Sequence, residues 1–425
     1  MSRTSTVVRV LAVVLGLLLV GHAGAAPAGV AAPDPAPHRD RATAAPDVRR
    51  AVFVGNNWDG TADVLAPGTF ERLGRIDVAP DKDARMQEIE TNPDRLAYFL
   101  AIREEIGEGH DQLVDDMYSS NDGRLLIVSR PSFADVVAIS LATKKIVWRF
   151  EVDGYRSDHM ALSPDGRRVV VSASTAGVVH VLRVSDGREV GRFASGDSPH
   201  ESVFIDGGRK ILHASIGTVY TPLDHPAADT TKGKRVLEIV DARTDRVLRR
   251  FDVRKALDAR GMTNVSSAVR PMTLSPDDKT FYFQLSFFHG FVEMDRASGR
   301  ITRVKHLPNL VKDTPREQYL LDSAHHGIAM NPAGTKLCVA GTMSNYATVV
   351  DARTFKRGRL IMGGLKPYWV TPSWDGKYCY ISWSGSDRIS RISYATGRIQ
   401  KSVRVGDHPQ RVRNGYVARS LVSGL

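Results

Sequence analysis

The sequence predicts an all-β protein, a seven-bladed β-propeller closed by its C-terminal strand. The first observation is a hairpin pattern that occurs seven times: an apolar strand, a turn containing Thr, Ser or Gly, and a second apolar strand. The second is a further hairpin upstream of six of these, with turns of the SPDG type, so that each unit contains four antiparallel strands. The third is the spacing of the closest units, which matches the roughly 40–45 residues of a four-stranded blade.

The repeat units can be placed one by one along the chain. The seven hairpins begin at Leu65, Ile139, Leu182, Val240, Met294, Val350 and Ile392. The first unit lacks an upstream strand, whereas the C-terminal segment HPQRVRNGYVAR from His408 supplies an unpaired one. Donating this strand to the first blade would close the ring and hide the sheet edges.

The N-terminus has the features of an export signal. An arginine-containing start precedes an apolar run from Val10 to Val20, and small residues up to Ala25 suit a signal-peptidase site. We therefore expect an exported protein, with no membrane span in the mature chain, because no later apolar stretch approaches the about 20 residues that a span needs. The predicted segments are a signal peptide at 1–25, a flexible Ala/Pro leader at 26–47 and the propeller at 48–425.

The charge pattern limits the expected partners. The chain has 58 Lys and Arg against 47 Asp and Glu, a formal net charge of +11, and the cations are scattered. A diffuse basic surface suits solubility or low-specificity contact with an anionic cell-wall polymer. Nucleic-acid binding would need a clustered basic stripe with stacking aromatic residues, which the sequence does not show, so we expect a small-molecule ligand and no nucleic acid.

Four stretches exceed the basic blade and are predicted to build up one face of the ring. They are residues 81–111, 216–234, 254–268 and 308–323. The first contains a predicted helix that begins at Pro93 after an Asn92 cap and stops near Gly107. All four belong to the two loop classes that emerge on the same side of a propeller, and long loops on a rigid scaffold often carry function. An oligomer interface or a decorated rim is the alternative.

The chain resembles the YVTN-repeat family of seven-bladed propellers. The resemblance is carried by AVFVGNN from Ala51, the PDG-type turns, the hairpins VDARTDRV and SYATGRI, and VGDHPQRVR from Val405. It spans nearly all of the chain after the signal segment and implies the fold. It leaves the function open, because related propellers include lactonases, cofactor-dependent amine-dehydrogenase-like subunits and non-catalytic binding proteins.

The residues that enter the inner strands are predicted to line the central channel near the enlarged face. In blade order from the second they are Asp115 and Asp116, Asp158 and His159, His200 and Glu201, Arg270 and Pro271, His325 and His326, Tyr368 and Trp369, and Gln410 and Arg411. Imidazoles from three blades and carboxylates from three blades thus converge on one axis. This set suits a Zn, Fe, Cu or Mn site and also general acid/base chemistry.

The candidate residues divide into two sets of roles. The candidate metal ligands are His159, His200 and His326, with Asp115, Asp116 or Glu201 as a carboxylate partner. The candidates for chemistry without a metal are His159 or His326 as a base, Arg270 and Arg411 for a substrate carboxylate or oxyanion, and Tyr368 as a proton donor. A hydrated polar channel without a ligand is the third possibility.

We therefore expect an exported propeller that binds and transforms a small polar or anionic ligand at the channel mouth. Hydrolase, lyase and oxidase chemistry are all compatible with the candidate residues. The alternatives are a non-catalytic module that binds a ligand, metal or cell-surface partner, and an interaction protein that uses only the insertions. The two cysteines, Cys338 and Cys379, are predicted in adjacent blades, either as a disulfide across the interface or as two small core residues.

Overall fold

The computed structural model describes residues 47–218 and 230–425. These residues form seven antiparallel sheets. The inner strands of successive sheets contact one another in a closed circle, so the predicted seven-bladed β-propeller is confirmed. The predicted signal peptide and all but the last residue of the predicted leader lie outside the described residues.

Each sheet is one blade, numbered in chain order. Blade 1 contains β1 (Val48–Asn56), β2 (Thr61–Leu65), β3 (Arg72–Asp77) and the last strand, β27 (Pro409–Ala418). Blade 2 contains β4 (Asp116–Ser119), β5 (Leu125–Arg130), β6 (Asp135–Ser140) and β7 (Ile146–Glu151); blade 3 contains β8 (Ser157–Leu162), β9 (Arg168–Ala173), β10 (Val178–Arg183) and β11 (Glu189–Ala194). Blade 4 contains β12 (Pro199–Ile205), β13 (Lys210–Ser215), β14 (Val236–Asp241) and β15 (Val247–Phe251); blade 5 contains β16 (Val269–Leu274), β17 (Thr280–Leu285), β18 (Gly290–Asp295) and β19 (Ile301–His306). Blade 6 contains β20 (Ile328–Met330), β21 (Lys336–Gly341) and β22 (Tyr346–Asp351); blade 7 contains β23 (Pro367–Pro372), β24 (Tyr378–Trp383), β25 (Arg388–Ser393) and β26 (Ile399–Arg404).

The C-terminal strand closes the ring as predicted. β27 is the inner strand of blade 1 and pairs antiparallel with β1, from Val48 opposite Ala418 to Asn56 opposite Pro409. The two ends of the propeller are therefore held in one sheet, and the edge that β1 would otherwise expose is covered.

Blade 6 departs from the predicted four strands. Its outer segment pairs with β22 at two isolated bridges, Ala347 to Ile361 and Val350 to Arg357. Between the bridges, three steps along β22 face four steps along the outer segment, so the pairing is irregular and no fourth regular strand forms.

The hydrophobic core is divided among the blade interfaces. Seven clusters of buried apolar side chains lie one at each interface between neighbouring blades within the described chain. Because both faces of every blade are covered, the β-branched and aromatic residues of the middle strands are buried on both sides. This packing makes the ring a rigid scaffold for residues that face the channel.

Three helices lie in the predicted insertions or beside them. They are α1 (Lys82–Glu90), α2 (Pro93–Glu105) and α3 (Val253–Asp258). The Asn92 side chain accepts hydrogen bonds from the backbone N–H groups of Asp94 and Arg95, both at 3.1 Å, which confirms the predicted cap and start of α2. Phe99 of α2 is buried in a cluster with Phe133 of blade 2, so the helix is packed against the ring.

Cys338 of β21 and Cys379 of β24 form a disulfide with a Cα–Cα distance of 6.4 Å. The bond joins blades 6 and 7. Of the two alternatives, a disulfide across the interface or two small core residues, the structure shows the disulfide. In the described parts of the chain, no helix combines the length and the apolar character needed to cross a bilayer.

Candidate functional site

In five of the seven blades, the channel-lining pair of residues lies in a β-bulge of the inner strand. In blade 3, Asp158 and His159 of β8 together face the single residue Ser172 of β9. The same shift of register occurs in blades 1, 4, 5 and 7. A bulge interrupts the alternation of a strand, so both members of a pair can reach the channel.

Serine hydroxyl groups from neighbouring blades fix these bulges. Ser129 donates a hydrogen bond to the carbonyl oxygen of Asp158 at 2.8 Å. Ser382 donates in the same way to the carbonyl oxygen of Gln410, also at 2.8 Å. The backbone of each bulge is therefore positioned by the adjacent blade as well as by its own sheet.

Three predicted histidines come together at the centre of the ring. One ring nitrogen from each of His159, His200 and His326 lies within 4.8 Å of the others. The imidazoles of His159 and His200 have centroids 3.9 Å apart, and that of His326 lies 6.2 and 6.0 Å from them. The Nδ1 atom of each ring is buried and has no hydrogen-bond partner in the structure.

The surroundings keep the three imidazoles neutral. Burial, followed by the Arg411 guanidinium and the neighbouring imidazoles, lowers the pKa of His159 well below its ordinary value. Burial and nearby arginines likewise lower the pKa values of His200 and His326. Because a metal binds the neutral imidazole, the lone pairs of these rings are available to a metal at neutral pH.

Two carboxylates accompany His159. Its Nε2 atom lies 3.7 Å from Asp158 Oδ1 and 3.9 Å from Asp115 Oδ2, and the three residues form a second group with metal-ligand spacing. Burial raises the pKa of Asp115 to about 7; the Arg411 guanidinium, 3.3 Å away, opposes this rise and Asp158 adds to it. Arg156 donates to Asp158 at 2.6 Å and compensates its charge.

Tyr368 packs on the third histidine. Its ring stacks on His326 at a centroid distance of 4.1 Å, and its hydroxyl oxygen lies 3.4 Å from His326 Nε2. Burial raises the pKa of Tyr368, so the phenol is neutral at physiological pH and can donate a hydrogen bond. The sequence-based role of this residue as a proton donor is compatible with its place.

A small polar cavity adjoins these groups. Its volume is about 40 Å³. It is lined by Ile106, Gln112, Asp115, Arg156, Asp158, His159, Ser198, His200, Ile216, Arg270, Leu321, His326, Tyr368 and Gln410. Ile106, Ile216 and Leu321 belong to three of the four predicted insertions. Residues 219–229 of the second insertion lie outside the described residues. The three histidines are only 1–4% exposed, so the site lies beneath the mouth of the channel instead of at its rim.

Other candidate residues are directed elsewhere. The Asp116 carboxylate accepts two hydrogen bonds from Arg413, at 2.9 and 2.6 Å, and is not grouped with the histidines. Glu201 accepts a hydrogen bond from the backbone N–H of Met272 at 2.8 Å and lines a different cavity. Arg411 lies under the site and pairs with Asp115, so it positions an acid instead of facing the cavity.

The two adjacent histidines of blade 6 have different surroundings. His326 lines the cavity, whereas the ring of His325 lies edge-on to Tyr346 and His289, at centroid distances of 5.8 and 5.6 Å. His325 is thus part of the packing around blade 6. Of the predicted pair, only His326 belongs to the candidate site.

Sequence reasoning missed three polar residues of the cavity, Arg156, Gln112 and Ser198. Arg156 stands two residues before Asp158. A cation so close to the Asp158–His159 pair in the sequence could have indicated that it pairs with the Asp158 carboxylate at the site. Gln112 accepts a hydrogen bond from Asn57 in blade 1, and only the closure of the ring brings these segments together. Arg270, which was predicted, donates to Ser286 at 2.8 Å and to the Leu321 carbonyl oxygen at 2.5 Å.

Comparison with known proteins supports the fold and leaves the family unassigned. No protein-family model matches the sequence, and no curated protein matches it. Among solved structures, the chain is similar to one in Kuenenia stuttgartiensis hydrazine synthase, with a TM-score of 0.53 and 16% sequence identity. The similarity covers 83% of this chain and 92% of the other. At this identity the likeness concerns the fold alone, and membership of the YVTN-repeat family stays a prediction.

Proposed function

We propose that this protein is an exported propeller that binds a divalent metal through His159, His200 and His326 and transforms a small anionic ligand beside it. The observation that carries the proposal is the convergence of three buried imidazoles from three blades, each with an unpartnered nitrogen. Buried polar groups without a partner are rare in proteins, and a metal bound through Nδ1 would supply the partner that each of these rings lacks.

The donor set fits a catalytic metal site. Three imidazoles with an open fourth position are typical of catalytic zinc. Imidazole also suits copper and iron, whereas manganese would rely more on a carboxylate partner. Metal–nitrogen bonds of about 2.0–2.1 Å would draw the three ring nitrogens, which lie within 4.8 Å of one another, closer together. Bound there, the metal would polarise a ligand or activate water.

The residues around the histidines suit proton transfer and the binding of an anion. With a pKa of about 7, Asp115 can both accept and release a proton near neutral pH. Arg156 and Arg270 line the same cavity and supply positive charge for an anionic group. A cavity of about 40 Å³ has room for about three water molecules at roughly 10–15 Å³ each, so the ligand would be small or would enter by moving the insertions.

Export is supported by two independent features. The N-terminal segment has the composition of a signal peptide. The disulfide between Cys338 and Cys379 suits an oxidising compartment, because cytosolic proteins rarely keep such bonds.

Metal analysis of the purified protein tests the proposal. We expect about one divalent metal ion per chain, lost in His159→Ala and His326→Ala but retained in a His306→Ala control, whose imidazole is exposed on blade 5. Adding zinc, copper, iron or manganese to protein that has been stripped with a chelator should restore its metal content. A metal-free protein that cannot be loaded would overturn the proposal. Turnover of small carboxylates and esters before and after chelation would separate an enzyme from a binding module.

A further inference from the structure

A second cavity lies in the channel on the other side of Trp369. It has a volume of about 300 Å³, within the lower range of sites for small organic molecules. The edge of the Trp369 ring faces His159 at a centroid distance of 5.9 Å, while the same residue lines this second cavity. The cavity is therefore separate from the histidine site.

The walls of this cavity combine apolar and polar groups. They include Leu162, Val203, Phe204, Met272, Ile328 and Val370. Six polar or charged residues stand among them: Tyr118, Glu201, Ser202, Thr273, Thr371 and Arg413. Polar groups placed among apolar side chains are typical of a site for a small organic ligand.

Glu201 is the unusual member of this group. The residue is 5% exposed, and its Oε2 atom accepts one hydrogen bond, from the backbone N–H of Met272 at 2.8 Å. Within residues 47–218 and 230–425, no Lys, Arg or His forms an ion pair with it. Buried carboxylates are normally paired with a cation or coordinate a metal.

The nearest cations are already engaged by other carboxylates. Arg413 donates from Nε and Nη2 to Asp116, and its guanidinium lies 4.8 Å from the ring centroids of both Tyr118 and Trp369. Arg411 pairs with Asp115 on the other side of the tryptophan. Burial raises the pKa of Glu201 to about 7, Arg413 and Arg411 lower it through space, and neither arginine forms an ion pair with this carboxyl group at the cavity.

We propose that this second cavity binds a small organic cation, a protonated amine whose ammonium group pairs with Glu201 while its apolar body lies against Phe204 and Met272. An ammonium–carboxylate hydrogen bond is about twice as strong as a neutral one. The apolar walls contribute by removing the hydrocarbon part of the amine from water. Neither the metal nor the anionic ligand of the histidine site takes part in this interaction.

Calorimetric titration with benzylamine and its neutral counterpart benzyl alcohol tests this inference on the full chain. We expect benzylamine to bind the wild-type protein more tightly than benzyl alcohol, and Glu201→Gln to weaken benzylamine binding by about tenfold or more without changing the affinity for the alcohol. The control Glu104→Gln, an exposed carboxylate on α2, should bind benzylamine like the wild type. Equal affinities for amine and alcohol, or an unchanged affinity in Glu201→Gln, would overturn the proposal.

A second variant keeps the test valid if Glu201→Gln folds poorly. Val203 is half-buried and lines the cavity, so Val203→Trp should fill it and abolish benzylamine binding while leaving Glu201 in place. Metal content should be unchanged in this variant, and benzylamine should still bind to His326→Ala. Undiminished binding to Val203→Trp would show that the amine binds elsewhere on the chain and would equally reject the proposal.

Discussion

Ser172 of blade 3 donates a hydrogen bond to the carbonyl oxygen of His200 in blade 4, at a distance of 2.8 Å, and both groups are buried. Ser172 is also the residue opposite the bulge that holds Asp158 and His159. One hydroxyl group therefore links the backbones that carry two of the three candidate metal ligands. The geometry of the site depends on contacts between blades as much as on the ligands.

The first prediction is that Ser172→Ala weakens metal binding without removing a ligand. The His200 carbonyl oxygen would lose its partner, at a cost of about 1–3 kcal/mol in the free energy of unfolding. Loss of such a supporting contact typically lowers metal affinity by about 10–100-fold. Urea unfolding and zinc titration measure the two effects. Ser298→Ala, in an exposed turn, should change neither, and an unaltered zinc affinity in Ser172→Ala would contradict the supporting role.

The second prediction uses the adjacent histidines of blade 6 as a matched pair. His326→Phe should abolish metal binding, because it removes one of the three ligands. His325→Phe should keep the metal and affect mainly stability, because its ring packs against Tyr346 and His289. Metal content and thermal unfolding of both variants provide the measurements. Equal loss of metal in the two proteins would show that the site is assigned to the wrong imidazole.

The turn and strand pattern was sufficient to predict the ring, its closing strand and the residue pairs that enter the channel. It could not predict which way each residue of a pair points, because simple alternation allows only one of two neighbours to face the channel. In blade 4 the bulge brings both residues of the pair to the channel. His200 lines the small cavity of the histidine site, and Glu201 lines the second cavity. The outer segment of blade 6 pairs with β22 as predicted, but at two isolated bridges instead of along a regular strand, and the hairpin pattern did not indicate this irregularity.

The third prediction concerns the disulfide between blades 6 and 7. It closes a loop with a sequence separation of 41 residues, for which the loss of chain entropy in the unfolded state corresponds to about 4 kcal/mol of stabilisation. Cys338→Ala combined with Cys379→Ala should therefore lower the midpoint of thermal unfolding. Reduced wild-type protein should unfold like the double variant. If dithiothreitol leaves the wild-type midpoint unchanged, the bond does not contribute to stability.

The fourth prediction is a pH dependence caused by His213. This residue is fully buried between the hydroxyl groups of Ser195 and Ser202, at 2.6 and 2.9 Å. Burial lowers its pKa to about 3, so below the ordinary value of about 6.5 the unfolded chain binds a proton that the folded chain does not. The contribution to stability is complete above pH 6.5 and falls as the pH drops toward 3.

The expected loss from His213 is about 2 kcal/mol between pH 6.5 and pH 5. The side chain of His213→Asn does not titrate. In this variant the unfolding free energy should depend less steeply on pH over this interval, and the difference in slope should correspond to at most one bound proton. Denaturant unfolding at several pH values measures both curves. Parallel curves for the two proteins would mean that this histidine is protonated equally in the folded and unfolded chains.

The fifth prediction connects the first insertion with the cavity that it covers. Asp81, just before α1, accepts hydrogen bonds from Arg130 at 2.5 and 3.2 Å, and the same guanidinium pairs with Asp135 inside blade 2. Asp81→Asn removes the charge that holds the insertion to the ring but leaves the Arg130–Asp135 pair intact. The variant should therefore fold and keep its metal, while the insertion detaches more often.

Hydrogen exchange followed by mass spectrometry provides the measurement for this last prediction. Amides of α1 and α2 should exchange faster in Asp81→Asn than in the wild type, whereas those of blades 3 to 5 should not change, because local opening depends on the contacts of the segment itself. The control Asp83→Asn alters an exposed carboxylate of α1 and should exchange like the wild type. Since Ile106 of this insertion lines the cavity, looser attachment of the insertion should also admit larger anions to the histidines. Unchanged exchange in Asp81→Asn would show that other contacts hold the helices to the ring, such as the Arg95–Glu151 ion pair and the burial of Phe99.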